Sequence, residues 1–101
     1  MAFNDFSESI RLFPSFTEAY INRGISLQEL KRYHEAIPDF NKAIKLSPEN
    51  PKAYFNRGNV LANQKRYEEA AADFSRAIEI KSDYALAFFS RGIAEIKGTS
   101  R

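Results

Sequence analysis

The sequence predicts an all-α chain of about six short helices stacked as antiparallel pairs, and three observations predict it. The segment Ala19-Tyr20-Ile21-Asn22-Arg23-Gly24 returns as Ala53-Tyr54-Phe55-Asn56-Arg57-Gly58 and, more loosely, as Ala87-Phe88-Phe89-Ser90-Arg91-Gly92, each time after a step of 34 residues. The same step carries Ala2-Phe3-Asn4-Asp5-Phe6-Ser7-Glu8-Ser9-Ile10 onto Ala36 to Ile44 and again onto Ala70 to Ile78. Within one period the apolar and small residues form two blocks of helical spacing, divided by turn chemistry. A period of this length marks stacked supersecondary units rather than a closed core around a pocket, so function is expected on a surface.

The elements follow in order. Residues 3–13 read as a helix through their likeness to the later Asp-Phe segments, with Phe6 and Ile10 one turn apart. A second helix is expected over 16–30, where Tyr20, Gly24 and Leu27 share a face at i, i+4, i+7. Leu30-Lys31-Arg32-Tyr33 forms the turn into a helix over 34–47, whose inner face holds Ala36, Phe40, Ala43 and Ile44. Pro38 lies early in that helix and is expected to be tolerated. Pro48 and Pro51 mark where one helix stops and the next starts, because proline lacks an amide donor but fits a first turn. Helices over 51–64 and 68–81 repeat the pair, and 85–97 repeats its first member. Gly98-Thr99-Ser100-Arg101 reads as a frayed tail. Gly24 and Gly58 each cost about 1 kcal/mol in helix propensity relative to alanine. A close approach of the partner helix at Ala36 and Ala70 is the expected compensation.

Composition narrows the function classes. At 101 residues and 44% hydrophobic, the chain fits one small array. Without cysteine it has no disulfide framework and no thiolate nucleophile, a usage compatible with a reducing, cytoplasmic setting. No basic leader runs into an apolar stretch, and none approaches the ~20 apolar residues of a membrane span. Fifteen basic and thirteen acidic residues leave a formal charge of +2 with the signs interleaved. Lys31-Arg32 and Lys65-Arg66 are the only adjacent basic pairs, recur at one place in the repeat, and read as solvated turns rather than phosphate contacts. Neither nucleic acid nor membrane is an expected partner.

This pattern resembles the tetratricopeptide repeat. In that family's frame a full unit runs from Thr17 to Asn50, with Tyr20, Gly24, Leu27, Ala36, Phe40, Ala43 and Pro48 at signature positions. A second runs from Pro51 to Tyr84, with Tyr54, Gly58, Leu61, Ala70, Phe74 and Ala77, and 15 of 34 aligned positions are identical. Ser82 replaces the terminal proline, and Arg23, Arg57 and Arg91 occupy a place more usually aliphatic. Residues 1–16 look like the second helix of an incomplete unit, and 85–101 like the first helix of another. The resemblance implies a right-handed αα superhelix, or solenoid, without cofactor or catalytic site.

The resemblance also implies a concave groove lined by the first helix of each unit, where partner peptides lie. Carried over, the groove presents Ile21, Asn22, Ile25 and Gln28, then Phe55, Asn56, Asn59 and Asn63, then Phe89, Ser90, Ile93 and Lys97. Apolar rows flanked by amides suit an apolar or amphipathic segment, although Phe55 and Phe89 equally fit a packing role. Some family members clamp an acidic C-terminus with lysine, asparagine and arginine. The corresponding places here hold Ile21, Ile25, Asn56, Leu86 and Ser90, so only Asn56 fits, and the clamp is disfavoured.

Asp5, Asp39 and Asp73 recur with Arg23, Arg57 and Arg91. Residues repeated in every unit serve stacking, whereas catalysis requires one converging constellation. Two ion-pair registers are open: Asp5 with Arg23, Asp39 with Arg57 and Asp73 with Arg91; or Arg23 with Asp39 and Arg57 with Asp73. His34 is the only histidine and reads as a solvated residue opening a helix, with no metal set around it. Phe6 and Ile10 on the first helix and Phe88 and Phe89 on the last expose faces meant for a neighbour. Such faces fit a segment of a longer array or a self-associating chain. Two functions therefore stand: a non-catalytic adaptor that binds a partner peptide in its groove, or a structural module that pairs with another copy.

Overall fold

The computed structural model describes residues 16–99. They form five helices, α1 Thr17–Glu29, α2 Tyr33–Leu46, α3 Pro51–Asn63, α4 Tyr67–Ile80 and α5 Ala85–Thr99, with no strand among the described residues. The fold is an all-α helical repeat. The helix expected over 3–13, with Asp5, Phe6 and Ile10, lies outside the described residues. The expected tail is corrected in part: Gly98 and Thr99 continue α5, and the Thr99 hydroxyl donates back to the Ile96 carbonyl at 2.9 Å. The helices belong to two compact units, α1 with α2 and α3 with α4 and α5, divided between Pro48 and Glu49.

In the first unit, contacts fix the helices as antiparallel, because the start of α1 meets the residue that ends α2 while the middle of α1 meets the middle of α2. The Thr17 and Ser47 hydroxyls join the outer ends at 2.8 Å, Arg23 meets Asp39, and Gly24 meets Phe40. Ala19, Tyr20, Leu27, Ala36, Phe40 and Ala43 are buried, the stripe read from the sequence. The turn closes with two backbone bonds: Lys31 N–H to the Gln28 carbonyl at 2.9 Å and Arg32 N–H to the Leu27 carbonyl at 2.8 Å. That pattern requires a left-handed residue after the helix, and Lys31 supplies it at φ 62°. α2 runs through Pro38 without a break.

The second unit repeats this pair and adds a helix. Asn50 caps α3, its side-chain oxygen accepting from Lys52 N–H at 3.0 Å with Pro51 in the first turn. Lys65 takes φ 63°, with Lys65 N–H bonded to the Ala62 carbonyl and Arg66 N–H to that of Leu61. α5 packs antiparallel on α4, where Arg91 Nη1 donates to Ser75 Oγ at 3.1 Å and Gly98 lies beside Tyr67. Ala87 and Ala94 are the buried residues of α5.

The reason for the helical glycines differs from the expectation. A Cβ on Gly24 would stand 2.7 Å from Phe40 Cε1, and one on Gly58 2.7 Å from Phe74 Cε1. The close approach is therefore to the edge of a buried phenylalanine ring rather than to Ala36 and Ala70. The small residue makes room for the largest of the fully buried side chains.

Candidate functional site

The recurring aspartates and arginines settle into the second of the two registers. Arg23 Nε and Nη2 donate to the two Asp39 carboxylate oxygens at 2.7 and 2.6 Å, and Arg57 makes the same fork on Asp73 at 2.7 and 2.8 Å. Each Asp is buried, Asp73 only 1% exposed, and each lies on the second helix of its pair. The hydrogen bond to the carboxylate raises the pKa of Arg23 and of Arg57 above the ordinary guanidinium value, against the opposing effect of burial. Asp73 also accepts from Arg76 Nη1 at 2.7 Å. Planar fork on planar carboxylate fixes the register of α1 on α2 and of α3 on α4. Arg91 meets no carboxylate within 4 Å among the described residues; it bonds Ser75 and lies 5.3 Å from the centre of the Phe88 ring.

These pairs are structural. His34 is exposed in the first turn of α2, as expected, and no three metal-ligating side chains gather among the described residues. The two basic pairs are turn residues: Arg32 forks onto Glu35 at 2.7 and 2.6 Å and Arg66 onto Glu69 at 2.8 Å twice. Those hydrogen bonds hold the Glu35 and Glu69 carboxyls below their ordinary pKa. A recess of about 170 Å³ at the α4–α5 seam, lined by Tyr67, Ala71, Ala94 and Gly98, is smaller than ligand pockets usually are.

The residues carried over to a groove separate by unit and by burial. In the first unit Ile21 is 1% exposed, which corrects its reading as a groove residue: its side chain is part of the core. Asn22, Ile25 and Gln28 are half-buried. In the second unit Phe55 lies 5.8 Å from the Phe74 ring and 5.0 Å from that of Tyr84, so most of its surface is in an aromatic cluster. Burial beside it pushes the Tyr84 phenol pKa up. Asn56 Nδ2 donates to the Lys52 carbonyl at 2.8 Å, while Asn59 is half-buried and Asn63 exposed.

On α5 the picture reverses. Phe89 is 69% exposed, Ile93 is exposed, and Ser90 beside them is half-buried. Leu86 and Ile96, at 61% and 67%, extend the row, so Leu86, Phe89, Ile93 and Ile96 recur at i, i+3, i+7, i+10 as one apolar stripe. Ile96 had not been singled out from the sequence, although this spacing would have found it.

Comparison with known proteins agrees with this geometry. A family model described as tetratricopeptide repeat matches residues 21–85. The chain belongs to the tetratricopeptide repeat family. Among solved structures, the repeat domain of Arabidopsis OM64 superposes with a TM-score of 0.90 at 31% identity, over 92% of this chain and 77% of that one. The first repeat domain of Spaghetti (RPAP3), solved with the HSP90 peptide SRMEEVD, gives 0.89 at 24% identity, over 92% and 74%. YrrB, a repeat protein described as having an unusual peptide-binding site, gives 0.86 at 25% identity, over 91% and 47%. No curated protein matches the sequence. As a tetratricopeptide repeat chain, it carries the fold of a protein-interaction module. None of its described helices is long and apolar enough to cross a membrane.

Proposed function

We propose that the chain is a non-catalytic adaptor that binds an apolar or amphipathic peptide on the exposed faces of α3 and α5. The observation that carries this is the stripe Leu86, Phe89, Ile93 and Ile96. In a chain this small, four large side chains in one exposed row cost solubility unless a partner covers them. Asn59 and Asn63 on α3 and Ser90 on α5 supply donors and acceptors for a peptide backbone. An amphipathic helix presenting anchors at i, i+3, i+7 matches such a row.

The binding of an HSP90 peptide by the Spaghetti domain raises the acidic-tail alternative. At the clamp places this chain has Ile21, which is buried, Ile25, Asn56, Leu86 and Ser90, so only Asn56 fits and no cation is present. A terminal carboxylate would be desolvated there without a cationic partner, so the favoured ligand is apolar.

The test uses two probes on labelled protein: a synthetic leucine- and phenylalanine-rich amphipathic peptide and SRMEEVD itself. The amphipathic peptide should shift the amide resonances of Leu86, Ile93 and Asn59, and Ile93→Glu should weaken its binding at least about tenfold. SRMEEVD should leave those resonances in place. Tighter binding of SRMEEVD, or no response to the amphipathic peptide, overturns the reading.

A further inference from the structure

The two complete hairpins define what the first helix of a pair receives. In each, an arginine forks onto a buried aspartate while the adjacent glycine admits the edge of the next residue, a phenylalanine: Arg23-Gly24 takes Asp39-Phe40, and Arg57-Gly58 takes Asp73-Phe74. α5 carries the third copy of this receptor, Arg91-Gly92, with Phe88 where the others have Tyr20 and Tyr54. It is unfilled among the described residues. A Cβ on Gly92 would meet nothing within 4 Å, Arg91 rests on a serine hydroxyl, and Phe88 is exposed. This face is distinct from the Leu86–Ile96 stripe, since Phe88 and Gly92 lie a turn apart on the adjoining side of the helix.

The sequence holds three Asp-Phe pairs in the same repeat frame, and α1 and α3 use two of them. The third is Asp5-Phe6, with Ala2 and Ile10 standing where α2 has Ala36 and Ile44. We propose that the Arg91-Gly92 face of α5 binds residues 2–10 of a second copy of the chain, pairing Arg91 with Asp5 and seating the Phe6 ring over Gly92. The charges are opposite, and the open space over Gly92 is the place that the Phe40 and Phe74 rings take over Gly24 and Gly58. The contact is heterologous: each copy offers both a receptor and a filler, so association adds chains head to tail, or closes where the rotation allows. Glu95, at the place of Leu27 and Leu61, makes the rim of the receptor more polar than in the finished pairs, as befits an interface that also exists unpaired.

Charge reversal tests this without identifying any other ligand. The chain should gain mass in sedimentation between about 1 µM and about 1 mM, the range of weak specific contacts. Arg91→Asp and Asp5→Arg should each weaken association at least about tenfold. An equimolar mixture of the two variants should associate again, because each then offers the other a complementary pair. Gly92→Leu occupies open space in the single chain, so helicity should be kept while association is lost. A wild-type chain that stays monomeric throughout, single variants that associate like the wild type, or a mixture that stays monomeric would overturn the proposal. Ile93→Glu separates it from the peptide-binding reading: that variant should lose the peptide and keep the mass change.

Discussion

At the scale of single residues, the three equivalent glycines are a controlled comparison built into the chain. All stand in helices, where alanine is favoured by about 1 kcal/mol. At Gly24 and Gly58 the added methyl would lie within 3 Å of a buried ring, which would have to shift, and overpacking of a core costs about 1–3 kcal/mol. Gly24→Ala and Gly58→Ala should therefore lower the thermal midpoint. Gly92→Ala, with nothing nearby, should raise it by roughly 4 °C in dilute solution, as about 0.5–1 kcal/mol implies for a chain of this size. Circular dichroism melts of the three variants decide the sign at each place. The sequence marked all three positions as equivalent, and only the packing distinguishes them. The same holds for the ion pairs: spacing left two registers open because both join one Asp to one Arg, and the hairpin geometry selects the one that closes within a pair. Ile21 was misread for a related reason. Its helical position matches that of Phe89, but burial depends on what stands opposite, which periodicity does not encode.

At the scale of elements, the helix boundaries were legible where punctuation is explicit: Pro48 follows the end of α2, and Pro51 opens α3. What the sequence hid is that Lys31 and Lys65 adopt left-handed backbone, φ 62° and 63°, at places where glycine would be the unstrained residue. A Cβ in that region costs about 1 kcal/mol, offset here by the two carbonyls each turn satisfies. Lys31→Gly and Lys65→Gly should each stabilise the chain by about 0.5–1 kcal/mol, less than the full strain because glycine also frees the unfolded chain. Urea midpoints should rise with unchanged slope. A fall would mean that the lysine side chains contribute more than their solvated positions convey.

At the scale of the molecule, the contacts within each unit run chiefly between helices adjacent in sequence, with Arg23–Asp39 and Gly24–Phe40 inside one unit and Arg57–Asp73 and Gly58–Phe74 inside the other. Stability in such arrays is a sum of unit terms and neighbour terms rather than one global value. A lesion confined to the second unit should then be felt chiefly there. In Gly58→Ala the Phe74 ring must move, and Phe74 contacts Phe55, which in turn contacts Tyr84 at the entry to α5. Native-state hydrogen exchange should show lost protection across α3, α4 and α5, with α1 and α2 retaining more of theirs. Gly24→Ala should give the reverse pattern, because the displaced ring is Phe40 and its pair is α1 with α2. An even loss across all five helices in both variants would show instead that the chain opens as a single cooperative body, in which case the repeat is a feature of its sequence and packing but not of its energetics.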